Sequence, residues 1–111
     1  MLIRIRKSGA TTILDLNGPL MVGESEQEFR EKLKELLYEG ARQIAINLGG
    51  VTDMDSWGLG SLVRHCAEVR RCGGRCVFFS PTARVLQLIK VAHLDSVLDI
   101  AADEAAALRR E

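Results

Sequence analysis

The chain has 111 residues, with fifteen Lys and Arg against fifteen Asp and Glu, so its formal net charge is zero. That balance gives no overall electrostatic argument for nucleic acid or an anionic membrane as a partner, and no apolar run reaches the ~20 residues that would span a bilayer. The length suits one compact domain over residues 1–111, able to bury roughly 65% of its unfolded surface without disulfide or metal staples.

The first residues, Met1-Leu2-Ile3-Arg4, carry charge early and lack the apolar core of a signal peptide. Ile3 and Ile5 alternate with Arg4 and Arg6, the period-two signature of a half-buried strand. Lys7-Ser8-Gly9-Ala10 reads as a turn into a second strand carrying Thr12, Leu14 and Leu16, and Asn17-Gly18-Pro19 breaks it. The two strands form an N-terminal hairpin whose edge, with Leu2, Ile3 and Ile5, could support weak pairing of two copies.

Ser25-Glu26-Gln27-Glu28 matches a capping box, S-x-x-E, and predicts a helix start. Phe29, Leu33, Leu36 and Leu37 then fall at i, i+4, i+7 and i+8, one apolar stripe, with Gly40 placed to close the helix in a left-handed conformation. Gln43 to Leu48 carries little charge and reads as a central strand covered on both faces, which requires Ile44 and Ile46 to be buried.

A second helix carries Leu59, Leu62, Val63 and Cys66 inward, with Arg64 and Glu68 as an i, i+4 pair outside, and ends at Cys72-Gly73-Gly74. Val77-Phe78-Phe79 is a buried strand. Ser80-Pro81 predicts a third helix, with Val85, Leu88, Ile89 and Ala92 inward. Val97 to Ile100 is a short strand, and Asp103 caps a last helix through Ala105, Ala106, Ala107 and Leu108. The order β-β-α-β-α-β-α-β-α predicts a mixed, mostly parallel sheet of about five strands with right-handed crossovers.

The three cysteines, Cys66, Cys72 and Cys76, are an odd count in a chain with no export signal. That argues for reduced thiols and a cytoplasmic protein. Their C-x5-C-x3-C spacing is not a zinc pattern, and the expected role is that of small buried hydrophobes.

Asp53-Met54-Asp55-Ser56-Trp57-Gly58-Leu59-Gly60 leads from the central strand into the second helix. In an open α/β sheet the functional crevice lies at the carboxyl ends of the strands. Enzyme readings fit poorly. A nucleophile elbow needs G-x-S-x-G, and Met54 stands at the first glycine. His65 lies nine residues beyond Ser56 on the same helix, roughly 13 Å away by helical rise, and no lysine follows Gly58 or Gly60 as a phosphate loop requires. Asp53 and Asp55 alone make a poor metal site. Two readings remain open. In one, Asp55 or Ser56 caps a helix and the glycines permit close packing. In the other, Ser56 carries a phosphate at the positive end of a helix.

Ile46-Asn47-Leu48, Val51-Thr52, Met54-Asp55-Ser56 and Gly58-Leu59-Gly60 together resemble the signature of STAS domains, and most closely that of bacterial anti-sigma factor antagonists. The likeness extends to Gly18, Gly73-Gly74, Ser80-Pro81, Leu94 and Ala107-Leu108. It implies a mixed sheet with helices largely on one side and no catalytic residue, cofactor or metal. It implies as partners an anti-sigma factor that is a serine kinase of the histidine-kinase-like ATPase type, and a serine phosphatase. Ser56 is the residue to be phosphorylated. Asp53, Asp55, Trp57, Gly58 and Leu59 are the expected partner-binding residues. Trp57 stands where the family usually has a small residue, and Met21-Val22-Gly23-Glu24 where many antagonists carry an aspartate. An alternative within the family is a STAS interaction module, in a stressosome-like scaffold or a transporter complex, whose serine does not cycle.

Overall fold

The computed structural model describes residues 1–110. In chain order these form β1 (Leu2–Ser8), β2 (Thr11–Asn17), α1 (Glu24–Tyr38), β3 (Gln43–Gly50), α2 (Ser56–Arg71), β4 (Arg75–Phe79), α3 (Ala83–Val91), β5 (Ile100–Ala101) and α4 (Glu104–Arg110). The five strands lie in one sheet in the order of the sequence, β1-β2-β3-β4-β5. β1 and β2 are antiparallel and every other pair is parallel. Each parallel connection therefore steps in the same direction, and right-handed crossovers must place α1, α2 and α3 on the same face.

The buried residues follow that geometry, because neighbours along a strand point to opposite faces. Leu14, Leu16, Ile44, Ile46, Leu48, Cys76 and Phe78 join Phe29 and Leu33 of α1, Leu62 and Val69 of α2, and Val85 and Ile89 of α3 in the main core. Ile13, Ala45, Val77, Phe79 and Ala101 form a second, smaller core with Ala107 of α4 on the other face. β3 is central and covered on both sides, with Ile44 and Ile46 wholly buried as its composition predicts. Towards the β1 edge that second face is polar. Arg6 donates to Asp15 at 2.7 and 2.9 Å and to Glu104 at 2.6 Å, and Asn47 donates to Asp15 at 3.0 Å. Arg6 thus ties two strands to α4, and its guanidinium holds the Asp15 carboxyl below the usual carboxylate range.

Several local expectations are corrected. α1 starts at Glu24 behind Gly23, whose φ is 107°, so no capping box forms. Ser25 lies inside the first turn, where its hydroxyl accepts from the Met21 amide and donates to the Met21 carbonyl. Gly40 closes α1 as predicted: its amide and that of Ala41 bond to the carbonyls of Leu37 and Leu36, with Gly40 at φ 101°. α3 starts at Ala83, capped by Thr82 rather than Ser80, and ends before Ala92, which is exposed. β5 is only Ile100–Ala101, because Val97 and Leu98 turn back to bond the Leu94 carbonyl. On β1, Ile3 and Ile5 pack against the core while Leu2 is 71% exposed, so only Leu2 offers apolar surface at that edge.

Arg64 does not pair with Glu68, which instead meets Arg71. Arg64 reaches Glu26 at 3.5 Å, across the α1–α2 interface. Glu26 is buried there, accepting from the Ser61 hydroxyl at 3.2 Å with Arg30 at 3.8 Å. His65 is buried beside it, edge-on to Phe29 with ring centroids 4.8 Å apart. Its Nε2 lies 3.8 Å from Glu26 and finds no hydrogen-bond partner among the described residues.

Burial pushes the His65 pKa down to about 4, the nearby Glu26 opposing and Arg64 and Arg30 assisting. The unfolded chain therefore binds a proton between pH ~6.5 and ~4 that the folded chain refuses, and stability falls as pH drops through that window. The expected loss is on the order of 2–3 kcal/mol. Urea unfolding at stepped pH should show this slope in the wild type, and His65→Leu should remove most of it.

Candidate functional site

The site is built where the exits of β2 and β3 run side by side. Gly18 donates to the Gly50 carbonyl at 2.9 Å, Thr52 to Gly18 at 3.2 Å and Leu20 to Asp53 at 2.9 Å. A parallel bridge between Leu20 and Met54 continues the pairing past the strand ends, with Leu20, Val51 and Met54 buried beneath it. The first turn of α2 comes down on this double strand. A side chain at Gly58 would put its Cβ 2.1 Å from the Leu20 carbonyl oxygen, so only glycine permits the seating.

Asp55 caps α2. Its backbone is extended, and one carboxylate oxygen accepts from the Gly58 amide at 2.8 Å. The other accepts from the Val22 amide at 3.0 Å. One side chain therefore closes the helix and holds the β2–α1 loop against it. The Val22 bond is the main reason its carboxyl titrates below the ordinary range, with the Gly58 and Trp57 amides adding to it. Asp53 is engaged differently. Arg84, at the start of α3, donates to it at 2.8 Å and the Met54 amide does so at 2.8 Å, and together they lower its pKa.

Ser56 is the first residue of α2 and is exposed. Trp57 follows, 50% exposed, with the Arg64 guanidinium 5.3 Å from its ring centroid. Arg64 thus stands between Trp57 on the surface and Glu26 in the interior. Across the Asp55 bridge lie Met21 and Val22, the latter 65% exposed. The structure brings Asp53, Asp55, Ser56 and Trp57 to one accessible corner and turns Gly58 and Leu59 inward. It adds Met21 and Val22, noted in the sequence only for the aspartate they replace, Arg64, expected to pair with Glu68, and Arg84, which the sequence did not mark. The two apolar residues were visible as an anomaly, since they sit in a loop between a Gly-Pro break and an acidic helix start.

The corner holds a hydroxyl, two engaged carboxylates and an indole. His65 is committed to the α1–α2 interface, and His93 lies in the turn just after α3 with φ 59°. Among the described residues no group of three or more His, Cys, Asp or Glu is arranged to hold a metal, and no helix is long and apolar enough to cross a membrane. Asp55→Ala should lose the cap and the loop tie together, costing about 1–2 kcal/mol in urea unfolding. Hydrogen exchange should quicken at the Val22 and Gly58 amides, whereas Asp55→Asn, which can still cap, should keep most of the stability.

The same architecture occurs in solved structures. A Thermotoga maritima protein provisionally assigned as an anti-sigma factor antagonist matches with a TM-score of 0.89 at 24% identity, over 97% of this chain and 92% of that one. The Bacillus anti-sigma factor antagonist SpoIIAA in its unphosphorylated form matches with a TM-score of 0.73 at 22% identity, over 98% and 96% of the two chains. The murine anion transporter Slc26a9 matches with a TM-score of 0.74 at 16% identity, over 91% of this chain and 17% of the transporter. At these identities the likeness is one of fold. The sequence model of the STAS domain covers residues 3–107, nearly the whole chain. With that match, the strand order and the Asp55-Ser56 corner in place, the chain belongs to the STAS domain family.

Proposed function

We propose that this STAS domain is an anti-sigma factor antagonist acting in the cytoplasm. In this reading it binds, without turnover, an anti-sigma factor that is a serine kinase of the histidine-kinase-like ATPase type. Binding frees the sigma factor. Phosphorylation of Ser56 by the kinase ends the complex, and a serine phosphatase restores it. The observation that carries the reading is the placement of Ser56: exposed, on the first turn of α2, with exposed Trp57 beside it and Met21 and Val22 across the Asp55 bridge. Such a surface offers a hydroxyl to a kinase and an apolar rim for it to rest on. Support from relatives comes from SpoIIAA, which has been solved in both unphosphorylated and phosphorylated forms.

The switch follows from charge and solvation. A phosphate adds about −1.5 to −2 charges at the centre of a rim that must lose water on docking. Asp55 already occupies the Gly58 amide, so the phosphate shares the helix end with a carboxylate. Asp53 contributes less repulsion, being held by Arg84. The fold tolerates the modification because the phosphate stays solvated and the helix end favours an anion. The cost falls on the complex. Asp53, Asp55 and Trp57 face the partner in this scheme, and Gly58 and Leu59 support them from below.

A non-cycling role in a transporter or scaffold is the competing reading, supported by the likeness in fold to part of the anion transporter Slc26a9. Calorimetry with the kinase-type partner separates the two. Phosphorylated protein should bind about a hundredfold more weakly than unmodified protein, a loss of ~3 kcal/mol, while Ser56→Ala should bind well and resist inactivation. Equal affinities for both forms would favour the non-cycling module.

Trp57→Ala should weaken the same complex by about 1 kcal/mol or more while leaving the thermal midpoint nearly unchanged. An unfolded variant that keeps its affinity when refolded would assign Trp57 to packing instead.

A further inference from the structure

We infer that Cys66 and Cys76 form a two-thiol oxidation site, which a hydroperoxide converts to an intramolecular disulfide between α2 and β4. The placement begins at Gly74. Its amide donates to the Val69 carbonyl at 2.9 Å, and a Cβ there would lie 3.0 Å from a Val69 methyl, so the end of α2 turns directly onto the start of β4. The helix runs back along the strand. Three residues back from Val69 is Cys66, and two residues forward from Gly74 is Cys76. Those steps cover about 4.5 Å of helix and about 6.6 Å of strand, each keeping its face. They bring the two thiols into the same core, 2% and 4% exposed, where Cys76 hydrogen-bonds Cys66. Cys72 is apart from them, exposed at the helix end.

The surroundings favour the reaction at Cys66. The hydrogen bond from Cys76, more than the opposing burial, sets its thiol, and Arg70 assists, bringing its pKa down to about 7. The Cys66 thiolate attacks one oxygen of the peroxide. The O–O bond breaks, hydroxide leaves and is neutralised to water by the proton that the Cys66 thiol released on ionising, and Cys66 becomes the sulfenic acid. The Cys76 sulfur then attacks Cys66 sulfur. The S–O bond breaks and water leaves with the Cys76 proton. Two thiols are oxidised by two electrons and one peroxide is reduced to two waters. Hydrogen peroxide is small enough to enter through local opening of the α2 end, which Gly73 and Gly74 border. The bond would close the short loop 66–76 and restrain the unfolded chain. It lies ten residues from Ser56 along α2, so it is independent of the proposed phosphorylation.

The three cysteines fall in separate tryptic peptides, because Arg64, Arg70, Arg71, Arg75 and Arg84 divide them. Folded wild-type protein is treated with hydrogen peroxide, alkylated, digested and mapped by mass spectrometry. The expected product is a monomer two hydrogens lighter, with the Cys66 peptide joined to the Cys76 peptide. Its thermal midpoint should be several degrees higher, and dithiothreitol should reverse both changes. Cys72→Ser should behave like wild type, and Cys66→Ser and Cys76→Ser should form no internal link. The inference is overturned if peroxide consumes Cys72 and leaves the other two thiols intact. It is equally overturned if links involve Cys72, or if the Cys66–Cys76 bond forms only in urea.

Discussion

The contact between Gly58 and the Leu20 carbonyl governs the placement of everything at the functional end of the molecule. Leu20 is fixed because its amide bonds Asp53 and its backbone pairs with Met54. α2 can settle on it only where no side chain intervenes. Once the helix is seated there, Asp55 is in position to cap it, and the second oxygen of Asp55 falls within reach of Val22. Ser56 and Trp57 then have no inward path and face solvent. A single missing carbon thus decides which residues of the corner are structural and which are offered to a partner.

Behind the corner, the α1–α2 interface is polar where an all-apolar seam would be cheaper. Burying the Glu26 carboxylate carries a desolvation penalty, which Ser61, Arg30 and Arg64 offset in part. What the arrangement adds is direction. Arg64 is drawn inward to Glu26 and lies over the Trp57 ring on its way. The half-exposed indole is thereby braced by a side chain that is itself anchored to the interior. Such bracing lowers the entropy that an aromatic side chain would lose on docking.

The fold was readable because its elements announce themselves by period. The uncharged run from Ile44 through Ala45 to Ile46 marks a strand buried on both faces, and Phe29, Leu33, Leu36 and Leu37 mark a helix with one inward stripe. The errors share a cause. Local patterns report which groups could meet along the chain, and distant partners took several of them. Arg64 had Glu68 one turn away but found Glu26 on another helix. Ser25 had the spacing of a cap, but Gly23 turned the chain earlier and Ser25 bonded Met21. The Asp55-Ser56 corner was legible as a site because its residue types sit at a strand-to-helix junction. The roles of Val22, Arg84 and Arg64 were not, since each depends on a contact across many residues that no spacing encodes.

The strand order has a kinetic meaning. A sheet whose spatial order copies its sequence order asks each new strand to pair with the one made just before it. Every unit of helix and strand meets an edge already present, and no later segment must be inserted between earlier ones. Contacts stay short in sequence for a largely parallel sheet, whose crossovers otherwise make folding slow. A chain emerging from the ribosome could add β3, β4 and β5 in turn to the β1–β2 hairpin, so the growing edge, rather than the finished core, directs assembly.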